Sequence, residues 1–206
     1  MMRPLRPDDL SGVARIHLQA FPDSALTVLG AEAVARYYHW QLTGPHDALA
    51  LCIDEQGAVT AFCFGGIFRG ALRGFLEKNR AYLLWCVARR PWIIFNAVIR
   101  RQIATALRSL STPKTPRLAD GGEAIPQRSS FGVLAIAVIP AKAGKGQAQT
   151  LMKSLEDTAR QRHFSKMHLT VSPDNTRAVR FYERLGWTRI PDHGAWKGFM
   201  SKDLTA

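Results

Sequence analysis

The sequence predicts an α/β protein of the α+β kind, with a sheet flanked by helices. Residues 48–68, "ALALCIDEQGAVTAFCFGGIF", are two apolar segments joined at a Glu-Gln-Gly turn, which is typical of a hairpin. Paired glycines at 65 and 66 predict a bulge or break in the second strand. Residues 131–140, "FGVLAIAVIP", are almost continuously apolar and end at a proline, which is typical of a strand buried on both faces.

The remaining elements follow from local periodicity and from helix start and stop signals. Residues 6–21 predict a first helix, with Asp8 or Asp9 near its N-cap, and residues 30–42 predict a second. In the C-terminal half the expected order is a helix to about His163, the strand "KMHLTVS", the helix "PDNTRAVRFYERLGW" ended by Gly186, and short strands in "WTRI" and "GFMSKDL".

Residues 69–130 interrupt this order and are interpreted as an insertion into a single domain of residues 1–206. The stretch predicts two amphipathic helices with a basic side, separated at Pro91, and then a loop rich in Pro, Ser and Gly. A lid, a partner surface or a segment lying on an anionic membrane are the functional interpretations. The structural alternative is a helical insertion packed on the core.

Composition and charge narrow the class of protein. The 206 residues are 47% hydrophobic and 21% charged, which is ordinary for a globular protein. Twelve basic against three acidic residues in 69–128 give that third most of the net charge of +12, which suits a phosphate-bearing or other anionic partner. The sequence shows neither a signal peptide nor an apolar run of membrane-spanning length, and its three cysteines lack metal spacing. A cytoplasmic location, with peripheral membrane contact as an extension, is expected.

A glycine-rich loop opens the helix after the buried strand, in "IPAKAGKGQAQTLMKSL", residues 139–155. A helix N-terminus presents unpaired amides and a partial positive charge, so a phosphate or diphosphate is the expected ligand. A nucleoside-triphosphate loop is excluded because Gly146 is followed by Gln147 rather than by Lys and a hydroxyl residue. A dinucleotide fingerprint is excluded because Gln149 stands where a small residue is needed.

Two motifs resemble the GNAT superfamily of N-acetyltransferases. "AVIPAKAGKG" supplies the family's coenzyme signature through Val138, Pro140, Gly144 and Gly146, and "NTRAVRFYERLGW" supplies Asn175, Ala178, Tyr182, Gly186 and Trp187. The resemblance is firm over residues 131–190, loose over 1–66 and absent over 69–130. It departs at Ala141 and Ala143, where the family usually carries Gln or Arg and a basic residue.

The resemblance implies a mixed, mostly antiparallel sheet that splays open where acetyl-CoA inserts, with no metal. A break in the strand near residues 137–139 would expose backbone groups to the thioester arm. The residues that it implies for cofactor binding are Ala137, Val138, Ile139, Lys142, Ala143, Gly144, Lys145, Gly146, Gln147, Ala148, Asn175, Ala178 and Phe181.

The same resemblance makes Tyr182 the catalytic residue, because a phenol with a pKa of about 10 can protonate a thiolate whose thiol titrates near 8.5. An alkylammonium acceptor, with a pKa of about 10.4, must also lose a proton before it attacks. His17, His39 and Glu32 are open candidates for that base, and the sequence does not choose among them.

The predicted function is transfer of the acetyl group of acetyl-CoA to a primary amine of a small molecule, with an amino sugar of surface-polysaccharide synthesis as the expected class. One alternative is acetylation of a protein N-terminus or lysine. A second is a non-catalytic acyl-CoA or nucleic-acid binding module on the same fold. Nucleic acid is not expected as a partner, and the chain is expected to be a monomer or a homodimer.

Overall fold

A computed structural model describes residues 1–68, 70–92, 130–192 and 194–204. Its strands form one sheet in the order β1-β2-β3-β4-β5-β7-β6, in which only β4 and β5 run parallel. The strands are β1 (Met2–Pro4), β2 (Asp47–Glu55), β3 (Ala58–Ile67), β4 (Ser130–Val138), β5 (Lys166–Thr170), β6 (Thr188–Arg189) and β7 (Phe199–Asp203). The helices are α1 (Leu10–Ala20), α2 (Ala25–Leu29), α3 (Ala31–Thr43), α4 (Ala71–Lys78), α5 (Arg80–Arg89), α6 (Gln147–Gln161) and α7 (Thr176–Arg184).

The β2–β3 hairpin forms at the predicted position because its two turn residues adopt left-handed conformations. Gln56 has φ +54° and Gly57 has φ +80°, which matches the twist of the flanking strands in a two-residue turn. The predicted irregularity at the paired glycines is also present, since the β3–β4 register shifts between Phe64 and Gly65. The predicted hairpin and the predicted irregularity in β3 are therefore both confirmed.

Two apolar cores cover the two faces of the sheet. One core lies under α1 and α3 and includes Ile16, Tyr38 and Phe62, all of which are fully buried. The other lies under α6 and α7 and includes Phe131, Leu155 and Tyr182. Alternation along the strands assigns successive side chains to opposite cores, so β4 contributes to both faces as its apolar sequence predicts.

The end of α7 is fixed by a Schellman motif. Gly186, at φ +83°, donates its amide to the carbonyl of Glu183, and Trp187 donates its amide to the carbonyl of Tyr182. The Trp187 ring packs 6.0 Å from the Tyr182 ring, which is the apolar contact that usually accompanies the motif. The predicted cap at Gly186 is therefore confirmed, and Trp187 serves packing.

The predicted insertion is described only in part. Residues 70–92 contain α4 and α5, and α5 ends at Arg89, just before Pro91, as expected. The second predicted helix of the stretch and its loop lie outside the described residues. Among the helices that are described, none combines the length and apolar character needed to cross a membrane.

Candidate functional site

The sheet divides between β4 and β5. The two strands pair in parallel only from Ser130 and Lys166 to Val133 and Leu169, whereas β4 continues to Val138 beside β3. Leu134 lies in the register shift, because Val133 pairs with Gly65 and Ala135 with Phe64. Past this bulge a gap opens along one edge of β4.

The backbone groups that face the gap follow from the alternation of an antiparallel ladder. The amide of Ile139 donates to the carbonyl of Thr60 at 2.9 Å, so residues 139 and 137 present their backbone groups to β3. The groups of Val138 and Ile136 therefore face the gap. Of the three strand residues expected to meet a ligand, only Val138 offers its backbone there, and Ile136 was missed. The distortion expected near 137–139 lies instead at Leu134.

Five unpaired amides cluster where β4 leads into α6. The amides of residues 144 and 146–149 donate to no group in the described part of the chain. Gly144 and Gly146 have φ values of +79° and +81°, and a Cβ added at either glycine would meet nothing within 4 Å. Left-handed glycines thus turn the amides outward into open space at a helix N-terminus, an arrangement that suits a diphosphate. The amides of Ala143 and Lys145, by contrast, are bonded within the loop.

The loop is held from the β2–β3 hairpin by Glu55. Its carboxylate accepts a hydrogen bond from the Nζ of Lys142 at 2.5 Å and one from the Nε2 of Gln147 at 2.7 Å. Gln147 also donates to the hydroxyl of Thr60 at 3.2 Å. The Lys142 ion pair lowers the pKa of Glu55, so this carboxylate is ionised at neutral pH. Sequence reasoning missed Glu55, whose only signal was a carboxylate at the hairpin turn.

The last helix places Asn175 and Tyr182 two turns apart. Asn175 caps α7, because its Oδ1 accepts the amide of Ala178 at 3.1 Å. Tyr182 is 8% exposed and shares a core with Val133 and Leu169, the last residues paired across β4 and β5. Its hydroxyl makes no hydrogen bond within the described residues. Burial raises the pKa of Tyr182 to about 12, so the phenol stays protonated throughout the neutral range.

The three candidate bases named from the sequence lie on α1 and α3 rather than on the strands that border the gap. Both ring nitrogens of His17 are engaged, Nδ1 with the hydroxyl of Tyr38 at 3.0 Å and Nε2 with Ser24 at 2.9 Å. Burial lowers the pKa of His17 to about 4, so it serves as a neutral link in the core. Glu32 is exposed and paired with Arg36, and His39 is an exposed residue of α3 beside Thr43.

Fold and site together define an acyl-coenzyme transferase domain, in which a gap between parallel strands leads to an anion-binding loop. Residues 119–187 match the Acetyltransferase (GNAT) family, which supports the predicted acetyltransferase domain with acetyl-CoA as its co-substrate. The predicted family, fold class and enzyme class are confirmed. No curated protein matches the sequence.

Solved structures with this fold cover the whole chain. SsHAT has a TM-score of 0.62 at 23% identity, over 100% of this chain and 98% of its own. YncA from Salmonella typhimurium, solved with its cofactor acetyl-CoA, has a TM-score of 0.56 at 20% identity, over 100% and 94%. The ribosomal-protein-S18-alanine N-acetyltransferase of Escherichia coli has a TM-score of 0.56 at 14% identity, over 100% and 94%. At these identities the comparison concerns the fold.

The chain's own residues fit acetyl-CoA. Five outward amides can donate hydrogen bonds to the diphosphate, and the exposed Lys145 can add charge, although Ala141 lacks the side chain that the family usually places there. Beyond the loop, backbone groups of Ile136 and Val138 line the gap where an extended amide-bearing arm would lie. Within residues 1–68, 70–92, 130–192 and 194–204, no cluster of three or more His, Cys, Asp or Glu side chains could hold a metal.

Proposed function

We propose that this protein transfers the acetyl group of acetyl-CoA to a primary amine of a small molecule, with an amino sugar as the favoured acceptor class. The observation that carries the proposal is the pairing of five outward amides at residues 144 and 146–149 with a gap between β4 and β5. Such a loop binds a diphosphate, and such a gap admits the arm attached to it. Tyr182, on α7, is the proposed hydrogen-bond donor to the sulfur that leaves.

Each part of the site has a distinct task. Bound acetyl-CoA would supply an activated thioester. The loop amides bind the diphosphate and so fix the position of the arm, while the amides of Ile136 and Val138 are donors for carbonyl oxygens in the gap. Because the pKa of Tyr182 is raised to about 12, its hydroxyl acts mainly by donating a hydrogen bond to the departing sulfur.

The net charge of the protein favours an amino sugar as the acceptor over more strongly cationic amines. The net charge of +12 disfavours polyamines and other strongly cationic acceptors through like-charge repulsion. An amino sugar carries a single amine among neutral hydroxyls and escapes most of this penalty. Acetylation of a protein N-terminus or lysine is the alternative, and a structural relative from Escherichia coli acetylates the alanine of ribosomal protein S18. A non-catalytic binding module is the remaining alternative.

Calorimetric titration followed by a thiol-release screen tests the proposal. We expect acetyl-CoA to bind the purified chain with a stoichiometry of one, and release of free coenzyme A to accelerate with glucosamine or another amino sugar. Faster release with an N-terminal alanine peptide or with lysine would instead favour the protein acceptor. Binding without thiol release in any arm of the screen would leave only the binding module.

Peripheral contact with an anionic membrane is a further part of this proposal, supported by α4, α5 and residues 90–92. The exposed face of α5 is apolar at helical spacing, and basic side chains surround it. We call this the basic–apolar surface. Its exposed apolar residues are Leu72, Leu76, Ala81, Leu84, Trp85, Ala88 and Trp92, and its exposed basic residues are Arg73, Lys78, Arg80, Arg89 and Arg90.

Charge and residue type select an anionic lipid surface as the occupant. Within residues 70–92 the one acidic residue is Glu77, and it is paired with Arg73. Tryptophan is favoured at membrane interfaces, where Trp85 and Trp92, 55% and 65% exposed, could insert. Three free buried cysteines in the same chain fit the reducing cytoplasmic side of such a membrane.

Vesicle sedimentation tests this contact. The full chain should sediment with phosphatidylglycerol vesicles and not with phosphatidylcholine vesicles, and less so at high salt. Replacing Arg80 and Arg90 by Gln should weaken vesicle binding by up to about 30-fold, because each basic residue near an anionic surface contributes about 1 kcal/mol at most. The matched control replaces the exposed Arg180 and Arg184 of α7 and should change binding little. Equal losses in both variants would show that the contact depends only on net charge.

A further inference from the structure

We infer that His168 accepts the proton that the acceptor amine must lose before it attacks. This inference rests on the proposed function and names the base for it. His168 lies in the middle of β5, where no motif of the sequence marks it. Unlike His17, His39 and Glu32, which lie on helices, His168 lies on a strand that borders the gap.

His168 stands at the point where the sheet divides. It pairs with Gly132 of β4, one step before Val133 and Leu169 form the last pair between the two strands. The gap begins at the next residue, Leu134, so the imidazole borders the closed end of the gap. This is the end to which an acyl group would be delivered by an arm entering from the loop at the far end of β4.

The imidazole lies on the side of the sheet away from α6 and α7. Met167 and Leu169 point into the core under those helices, so the intervening His168 points to the opposite face. Tyr182 belongs to the core under α6 and α7. The proposed proton donor to sulfur and the proposed acceptor of the amine proton therefore approach the gap from opposite faces, which leaves room for coenzyme and amine to enter separately.

Neighbouring residues fix the ring and leave one nitrogen free. Nδ1 lies 2.6 Å from the hydroxyl oxygen of Ser130, which is itself buried, and the ring stacks on Phe199 with a centroid separation of 6.0 Å. Gly132 makes space, because a Cβ there would come within 3.0 Å of Nε2. When Nδ1–H donates to Ser130, Nε2 carries the lone pair, and among the described residues nothing donates to it.

The charges around His168 leave it neutral. On its face of β5 and β7 the charged groups of the described chain are Lys166 and Asp203, which pair with each other at 3.6 Å. Ser201 faces it from β7, and Ser130 and Gly132 face it from β4. Burial lowers the pKa of His168 from its usual 6.5, so the ring is unprotonated and able to accept a proton at neutral pH.

The test compares His168→Gln with the matched control His39→Gln, which removes an exposed histidine of α3. We measure acetyl-CoA binding by calorimetry, and kcat/KM by thiol release between pH 6 and 9.5 with the fastest amine among glucosamine, an alanine peptide and lysine. Binding should be unchanged in both variants. At pH 7, kcat/KM should fall about 100-fold in His168→Gln alone. The loss should shrink as pH rises, because the amine then deprotonates unaided.

A second measurement does not depend on the acceptor. Diethyl pyrocarbonate modifies neutral, accessible imidazoles, and mass spectrometry locates the modified residues. His168 should react at pH 7 and be protected by acetyl-CoA, while His39 reacts in both states and His17 in neither.

The outcomes separate the two proposals. A His168 that never reacts, or a His168→Gln enzyme with the wild-type pH profile, would overturn the assignment and leave the proposed function standing. Binding of acetyl-CoA without thiol release by the wild-type chain would overturn the proposed function, and the assignment of His168 with it.

Discussion

Replacing Tyr182 by Phe should lower kcat about 100- to 1,000-fold while leaving the affinity for acetyl-CoA and the stability of the fold nearly unchanged. Loss of one preorganised donor to a developing charge commonly costs this much. Stability should hold because the hydroxyl has no hydrogen-bond partner within the described residues, so its removal leaves no group unsatisfied. The ring contacts with Phe181 and Trp187, at 5.2 and 6.0 Å, remain in the variant.

Tyr38→Phe is the matched control, since it makes the same change at another buried tyrosine. The hydroxyl of Tyr38 bonds to Nδ1 of His17 at 3.0 Å, so its removal should cost about 1–3 kcal/mol of stability by leaving a buried nitrogen unpaired. Its kcat should stay within about twofold of wild type. Thermal unfolding and thiol release, measured on both variants, separate the roles. A Tyr182→Phe enzyme with wild-type kcat would remove this residue from the mechanism.

The pH dependence of the wild-type enzyme adds a second check on Tyr182. Because burial raises its pKa to about 12, the hydroxyl keeps its proton throughout the practical range. Tyr182 therefore gives the pH profile no alkaline limb below about pH 11. A fall in kcat between pH 8 and 10 that Tyr182→Phe abolishes would contradict the burial of the phenol.

Much of the fold could be predicted because its signals are local. The hairpin follows from a Gln-Gly turn at residues 56–57, and the end of α7 follows from the glycine at 186, each of which adopts positive φ as its sequence position requires. The buried strand follows from an apolar run without polar interruption. The parallel pairing of β4 and β5 is not local, and it was expected only from a resemblance between motifs.

The site was less predictable because the residues that the sequence did not indicate contact their partners across the sheet. Glu55 and Lys142 are separated by 87 positions, and Ser130 and His168 by 38, so no spacing in the sequence announces either contact. Leu134 was missed for a related reason, since a bulge depends on the register of two strands rather than on one. The motifs located the loop and Tyr182 as candidates, whereas the supporting side chains required the three-dimensional neighbourhood.

A carboxylate introduced at the N-terminus of α6 should have opposite effects on stability and on coenzyme binding. The first turn of α6 contains no acidic residue, although a carboxylate at a helix N-terminus normally stabilises the helix. Gln149, the third residue of α6, is exposed and carries one of the unpaired amides. Gln149→Glu should therefore stabilise the fold by about 0.3–1 kcal/mol. It should also raise the Kd for acetyl-CoA roughly tenfold, because a carboxylate beside a diphosphate costs about 1.4 kcal/mol.

Gln161→Glu provides the control at the other end of the same helix. Gln161 is exposed and is the last residue of α6, so the new carboxylate meets the negative end of the helix dipole. Stability should fall by about 0.3–1 kcal/mol and the Kd should not change. The two substitutions thus move stability in opposite directions while only one affects binding. Equal Kd values for both variants would mean that the diphosphate binds away from the amides of residues 144 and 146–149, which would remove the observation on which the proposed function rests.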